Sequence, residues 1–293
     1  MVDSESGVMR LFKSLGMEKI AWALRRLYCP VSKDALVLEV GSGGNPYARA
    51  NVLLDAYEDT RERHWVPLVS DRPTVLGFVE NLPFKDKSFD FVIASHVLEH
   101  STDPEKFLRE LQRVAKAGYI EVPDAFMERV NPYKDHRLEI TVRQDQLVIR
   151  KKPQSTVDEI LVELYSDRAK PLVAGGLIPA HPFAFHVRYY WSEKIDFVVL
   201  NPEVDATWKP PLEQASSAQV ASRRTMRQKL LGTIRRGLSQ HKRNGQLDLL
   251  TLLRCPDCLF AELKRAGEEI KCQHCQTNFA SSNGIPIMYR KEM

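Results

Sequence analysis

No stretch of the 293-residue chain strings together the roughly 18 uncharged apolar residues that a bilayer-spanning helix needs. The opening residues, MVDSESGVMRLF, put Asp3 and Glu5 where a secretory leader would be basic, with no apolar core ahead of a small-residue cleavage site. These absences predict a cytoplasmic protein. Cysteine is scarce, five residues in all, and in a reducing compartment such thiols are expected to bind metal in preference to pairing as disulfides. The net charge of +4 is too small to mark a nucleic-acid binder by itself. Position 46 lacks glycine; Pro46 stands there and breaks the G-x-G-x-x-G fingerprint of dinucleotide-binding turns.

What is present divides the chain. Its length exceeds what one compact core usually needs, so a large domain plus a smaller module is expected. Residues 1–34 carry a helical stripe of Val8, Leu11, Phe12, Leu15, Ile20, Trp22, Leu24 and Leu27, with Gly16 as a break between two helices. From Ala35 the pattern becomes short continuous apolar runs: ALVLEV, NVLL, TVLGF, FDFVIAS and GYIEV. Such runs read as parallel strands buried on both faces. Asp103-Pro104 opens a helix with Phe107, Leu108, Leu111 and Val114 on one face. The fold class is therefore α/β, a doubly wound Rossmann-like sheet over residues 35–210. Within it, residues 124–210 hold further candidate strands (RLEITV, QLVIRK, FHVRYYW, IDFVVL) separated by loops such as KPLVAGGLIPAHPF. They read as extra sheet edge or as a lobe covering a substrate. In that lobe His181, His186, Tyr189, Tyr190 and Trp191 are candidate pocket residues, with sheet packing expected for alternate members of HVRYYW.

The first strand ends in a glycine cluster. Gly41, Gly43 and Gly44 allow a turn with no side chains in the way of a ligand. Glu39, two residues before Gly41, suits a ligand with a cationic ammonium group. Asp55, at the end of the second run, can accept hydrogen bonds from two ribose hydroxyls. Gly44 and Asp55 are only 11 residues apart, so NPYARAN is expected to turn without forming a helix.

LVLEVGSGGNP, VLLD, ENLPFKDKSFDFVIASHVLEH and DPEKFLRELQRVAKAGYIEVP, in that order over residues 35–123, resemble the class I S-adenosylmethionine-dependent methyltransferases. The likeness is greatest to the group that includes small-molecule and quinone-biosynthesis enzymes. It implies S-adenosyl-L-methionine as cofactor, with Glu39, Gly41, Ser42 and Gly43 at its methionine end and Asp55 at the ribose. Asn81 and Leu82 would lie at the adenine, and Ser95 and His96 beside the sulfonium. His96 is the candidate catalytic base. Phe78 departs from the pattern, standing where an acid usually bonds the adenine amino group. His96-Val-Leu-Glu99-His100 also matches a zinc-protease motif, but a buried strand precedes it and Ser-Thr-Asp-Pro follows, a poor context for a metal-binding helix.

Cys255-Pro-Asp-Cys258 and Cys272-Gln-His-Cys275 stand 13 residues apart. Two such knuckles complete a tetrahedral Zn2+ site, while Cys29 is left alone. LLRCPDC, IKCQHCQTNF and NGIPIMY, over residues 248–293, resemble the small zinc-ribbon proteins that activate tRNA and release-factor methyltransferases. That likeness implies a structural or protein-partner role for the metal. The ribbon is joined through residues 211–247, in which 223–243 hold eight Lys and Arg and no acid. Met226, Leu230, Ile234 and Leu238 recur there every four residues, describing a cationic amphipathic helix for RNA or an anionic membrane surface, or a solvated tether. The expected activity is methyl transfer to a small-molecule or glycan-type acceptor. RNA methylation through the basic segment and a non-catalytic binding module are the alternatives.

Overall fold

The computed structural model describes residues 5–60, 66–130, 133–155, 159–209 and 237–289. Most of the basic amphipathic segment thus lies outside the described residues. No helix among them is long and apolar enough to cross a membrane. A six-stranded sheet runs in the order β3-β2-β1-β4-β5-β8, with β1 Val37–Val40, β2 Val52–Asp55, β3 Thr74–Leu76, β4 Phe89–Ser95, β5 Ala115–Pro123 and β8 His186–Ser192. The chain separates into two compact units. One takes 31–93, 106–118 and the described part of 214–293; the other takes the described parts of 1–30, 94–105 and 119–213.

In the first of these units β1, β2 and β3 pair in parallel, Leu38 against Val52 and Leu54 against Val75. All three strands are buried along their whole length, which is why each is a continuous apolar run without alternation. After β1 the chain turns through 41–50 without a helix. The Arg72 guanidinium replaces the missing intrahelical donors, donating to the carbonyls of Tyr47, Ala48 and Ala50 at 3.2, 3.3 and 2.7 Å.

The C-terminal residues belong to the same unit and complete its sheet edge. Strands Leu263–Ala266, Glu269–Cys272 and Asn278–Phe279 form a small antiparallel sheet. The pair Ser281–Ser282 and Ile285–Pro286 closes through Asn283-Gly284, both at positive φ (49° and 77°), the dipeptide that two-residue hairpins favour. That hairpin sets Ile285 and Ile287 against Leu76, and the Met288 N–H donates to the Leu76 carbonyl at 2.8 Å. A second attachment is antiparallel: Lys85 N–H to Leu252 O at 2.9 Å and Arg254 N–H to Pro83 O at 3.0 Å. An open β3 would expose unpaired backbone groups; the first seam covers its Leu76 end, and the second takes up the 83–85 segment. Arg243 ties the segment further, donating to the carbonyls of Lys33 and Ala35.

The other unit starts with α1 (Gly7–Ser14) and α2 (Glu18–Leu24), hinged at Gly16 with φ +71°. Its second sheet is the hairpin Leu138–Arg143 and Gln146–Lys151 with Phe197–Val199 added in parallel. The sequence reading of KPLVAGGLIPAHPF as a loop does not hold. Residues 159–185 are helical throughout most of their length, in α and π turns. Pro171, Pro179 and Pro182 each sit in the first turn of a short helix, where the missing N–H costs nothing. Gly175 and Gly176 lie in a π turn.

Ile287 is buried at the edge seam, so Ile287→Ala is expected to lower the unfolding free energy by about 2–3 kcal/mol in urea titration. The sheet and the cysteine module should still unfold in one transition.

Candidate functional site

At the C-terminal ends of β1 and β2 the unit of residues 31–93 gathers its acids around the glycine turn. Glu39 is 2% exposed and its Oε2 accepts the Tyr47 N–H at 2.7 Å. Asp55, 7% exposed, accepts the Gly43 N–H through Oδ2 at 2.9 Å and the Tyr57 N–H through Oδ1 at 3.3 Å. Gly41 and Gly43 take φ +64° and +57°, the left-handed region that a side chain resists. A Cβ on Gly44 would stand 2.4 Å from Val66 Cγ1, so that position has no room for one. Ser42 Oγ is buried with no hydrogen-bond partner among the described residues. The turn therefore combines two carboxylates, close backbone and one unused hydroxyl.

Asn81, Leu82 and Phe78 sit in the same unit, where the cysteine module reaches them. Asn81 Nδ2 donates to the Pro256 carbonyl at 3.0 Å. The Leu82 N–H donates to Glu110 Oε2 at 2.7 Å, and its side chain is fully buried. The Phe78 ring meets Tyr57 edge-on at 5.7 Å and Tyr289 of the module at 4.8 Å. Two partners thus account for the aromatic residue that stands out in the sequence. In the module the four thiols converge, Cys255 Sγ to Cys275 Sγ at 3.6 Å and Cys258 Sγ to Cys272 Sγ at 3.5 Å. A tetrahedron with metal–sulfur bonds of about 2.3 Å has edges of roughly 3.8 Å, so the donor set matches a tetrahedral ion. Cys29 is half-buried and is not part of this cluster.

Ser95 and His96 lie in the other unit, around a carboxylate that the sequence did not single out. Glu121 on β5 is completely buried. Arg25 holds it with two bonds, Nε to Oε2 at 2.7 Å and Nη2 to Oε1 at 3.0 Å. The Ser95 hydroxyl donates to Oε1 at 3.0 Å, and the Tyr119 hydroxyl donates to Oε2. His96 Nε2 stands 3.4 Å from Oε1. Burial raises the energy of the Glu121 charge, but His96 and Arg25 outweigh it and hold the carboxyl well below the usual range.

His96 takes φ +58° and is 37% exposed at its side chain. A non-glycine residue in that region carries about 1 kcal/mol or more of strain. Its N–H donates to the Glu121 carbonyl at 2.7 Å, which fixes the turn. Burial opposes the imidazolium, yet Glu121 and Glu99 together push its pKa up to about 9. At neutral pH the ring is a cation ion-paired with two carboxylates, Glu121 and Glu99. Around it lie His186, centroid 5.6 Å away, and the stacked pair Tyr119 and Tyr190, with Arg188 donating to both hydroxyls at 3.1 Å. Along β8, His186, Arg188 and Tyr190 are half-buried, while Val187, Tyr189 and Trp191 are in the core. His181 is exposed and 3.4 Å from Glu18.

Comparison with known proteins bears on the segment that contains β1 to β5. Residues 38–120 match the family described as a methyltransferase domain. An uncharacterised protein of Methanocaldococcus jannaschii is 31% identical over 81 residues, 28% of this chain and 40% of that one. The norajmaline N-methyltransferase of Rauvolfia serpentina is 49% identical over 43 residues, 15% of each chain. The chain thus spans less than half the length of these relatives. Among solved structures, a complex between the Haloferax volcanii Trm112 methyltransferase activator and a methyltransferase described as putative is similar at 19% identity and a TM-score of 0.32. That match covers 47% of this chain and 75% of that one.

The matched residues bring Glu39, at the end of β1, and Asp55, at the end of β2, to the turn of Gly41, Ser42 and Gly43. Asn81 and Leu82 lie at the seam with the cysteine module. Ser95 and His96 surround Glu121. Sequence reading missed Arg25, Glu121 and Arg188. The signal for Glu121 was a lone acid inside the otherwise apolar GYIEV. For Arg25, 96 positions away, no local pattern exists.

Replacing Glu121 with Gln leaves the Arg25 cation buried without its counter-charge. Glu121→Gln is expected to cost about 3–5 kcal/mol of stability at pH 7. Its folded pKa lies below the ordinary 4.5, so its contribution is complete above that pH and is lost as pH falls through the folded value. Urea unfolding of wild type and variant at descending pH should therefore converge only well into the acid range.

Proposed function

We propose that the protein transfers a methyl group from S-adenosyl-L-methionine to a small-molecule or glycan-type acceptor, in the cytoplasm. The observation that carries this reading is the Glu39–Gly41–Gly43–Asp55 turn inside a matched methyltransferase domain. When bound, the cofactor supplies an electrophilic methyl on a sulfonium. The chain's own part is to hold and align. Glu39 would face the ammonium of the methionine end, the glycines would let the backbone approach, and Asp55 would accept from the ribose hydroxyls. Ser42 Oγ, unpartnered and buried, is a further donor for the same ligand.

Residues 35–210 are the catalytic region in this reading, with the acceptor bound by 124–210. The half-buried row of His186, Arg188 and Tyr190 offers one cation and two hydrogen-bonding rings to it. Residues 248–293 are a zinc ribbon in which Cys255, Cys258, Cys272 and Cys275 bind Zn2+. Four thiolates leave no open position, so the ion is structural. The ribbon covers the β3 edge and engages Phe78 and Asn81, so its partner is the chain's own domain. Phe78 is explained by that contact with Tyr289, which supports a domain that keeps its cofactor over a non-catalytic one.

Calorimetry tests the cofactor reading. The full chain should bind S-adenosyl-L-methionine, and Glu39→Gln or Asp55→Ala should each weaken binding roughly 10-fold or more, a loss of about 1.5–3 kcal/mol for a charge-assisted bond. Unchanged affinity in both variants would remove the assignment. Zinc removal by a chelator should make residues 255–289 sensitive to protease, because a module of this size takes its folding energy from the metal. Resistance to cleavage in the metal-free protein would count against the ribbon.

A further inference from the structure

The sequence set aside the H-x-x-E-H motif as the zinc-binding helix of a protease. The motif occupies a 3-10 turn, Leu98–His100, not a helix, and His96 turns toward Glu121. Two of its members nevertheless meet a third residue from beyond β5. One donor atom from each of Glu99, His100 and His136 lies within 4.8 Å of the other two. We propose that Glu99, His100 and His136 form a second metal site, for a first-row divalent ion such as Zn2+, distinct from the four cysteines.

Three observations carry this. Glu99 is 2% exposed, and neither of its oxygens accepts a hydrogen bond from any described residue. His96 Nδ1 is 3.3 Å from Oε1, near enough for ion pairing but without hydrogen-bond geometry. His96 pairs its charge, but a buried carboxylate whose oxygens lack hydrogen-bond donors still carries a cost that a coordinating ion would remove.

The two imidazoles are already held in the state a ligand needs. His136 Nδ1 is 2.7 Å from Glu128 Oε2, and that carboxylate is itself 3% exposed and fixed by Lys152 Nζ at 2.8 Å and the Tyr133 N–H at 3.2 Å. His100 Nδ1 is 3.3 Å from the Asp135 carbonyl. With oxygen acceptors as partners, Nδ1 is the donor in each ring, which leaves Nε2 as the nitrogen to face an ion. This carboxylate–histidine and carbonyl–histidine support is characteristic of metal-binding histidines. Tyr133 stacks on His136 at 4.4 Å and holds the ring plane.

The spacing is also right. An ion with bonds of about 2.1 Å brings its donors to roughly 3–3.5 Å from one another, inside the 4.8 Å that bounds these three. Their rings already meet edge-on, with centroids 4.7 Å apart. Two imidazoles and one carboxylate leave coordination positions open, which suits an ion that takes an oxygen ligand such as a hydroxyl, and not a sealed structural ion.

Metal content tests the site without reference to methyl transfer. Full-length protein is equilibrated with excess Zn2+, passed through a desalting column and analysed by elemental mass spectrometry. Wild type should retain two Zn2+ per chain. Glu99→Gln and His136→Gln should retain one, at the cysteines. One ion in wild type, or two in both variants, overturns the proposal. Glu128→Gln supplies an independent reading because it touches no ion. It should weaken the second Zn2+ about 10–100-fold by calorimetry while the cysteine site stays full. Unchanged affinity in that variant overturns the supporting role argued for Glu128. A circular dichroism spectrum and a urea midpoint close to those of wild type show that each variant is folded.

Discussion

A carboxylate with no exposure to water organises the unit that contains residues 119–213. An ionised Glu121 is tolerable there only because a guanidinium, two hydroxyls and an imidazolium converge on its two oxygens. The requirement reaches far along the chain. It fixes Arg25 at the end of α2, and Arg25 in turn lies 3.6 Å from the Trp22 ring, which meets Phe183 and His186. The N-terminal helices are thus held by charge as much as by apolar burial. The same constraint sustains the left-handed turn at His96, since both its backbone N–H and its ring face Glu121.

The unit containing β1 to β3 answers a different problem, the unpaired edge of a sheet. Backbone donors and acceptors of β3 and of the 83–85 segment are taken up by residues 252–254 and 287–288. Sequence far from the strand therefore decides whether its edge is safe. It also decides what side chains near the edge are available for. Phe78 and Asn81 touch the cysteine module, and Glu110 with Arg113 pins the turn between them and β4 through Leu82 and Phe84. A metal that folds the module would, on this geometry, stabilise the sheet as well.

Much of this was legible from residues alone, for identifiable reasons. Strands buried on both faces must be apolar throughout, so ALVLEV and FDFVIAS announced themselves. Knuckle spacing is local, so the four cysteines could be grouped before their 3.5–3.6 Å contacts were seen. Sheet packing was expected for alternate members of HVRYYW without saying which, and the members in the core are Val187, Tyr189 and Trp191. The helical turns of 170–185 were hidden because proline and glycine usually signal loops, and only position within each first turn reverses that meaning. Arg25–Glu121 and His136–Glu128 were hidden for a stricter reason. An ion pair leaves no periodicity in sequence, only an isolated charge in an apolar setting, and its partner is set by topology.

Glu99 and Glu121 make the sharpest contrast in the molecule. Both are buried, both face His96, and both are held in the ionised form. Glu121 has its oxygens filled by donors from three elements, so its charge is spent on structure. Glu99 has none of these bonds, although two histidines with prearranged tautomers stand within coordination reach. Were Glu99 merely structural, donors like those around Glu121 would be expected, because a buried acceptor without them costs about 1–3 kcal/mol or more. Folded chains seldom retain that cost without a use for it, and a coordinating cation is the one ligand that uses the carboxylate and both rings together.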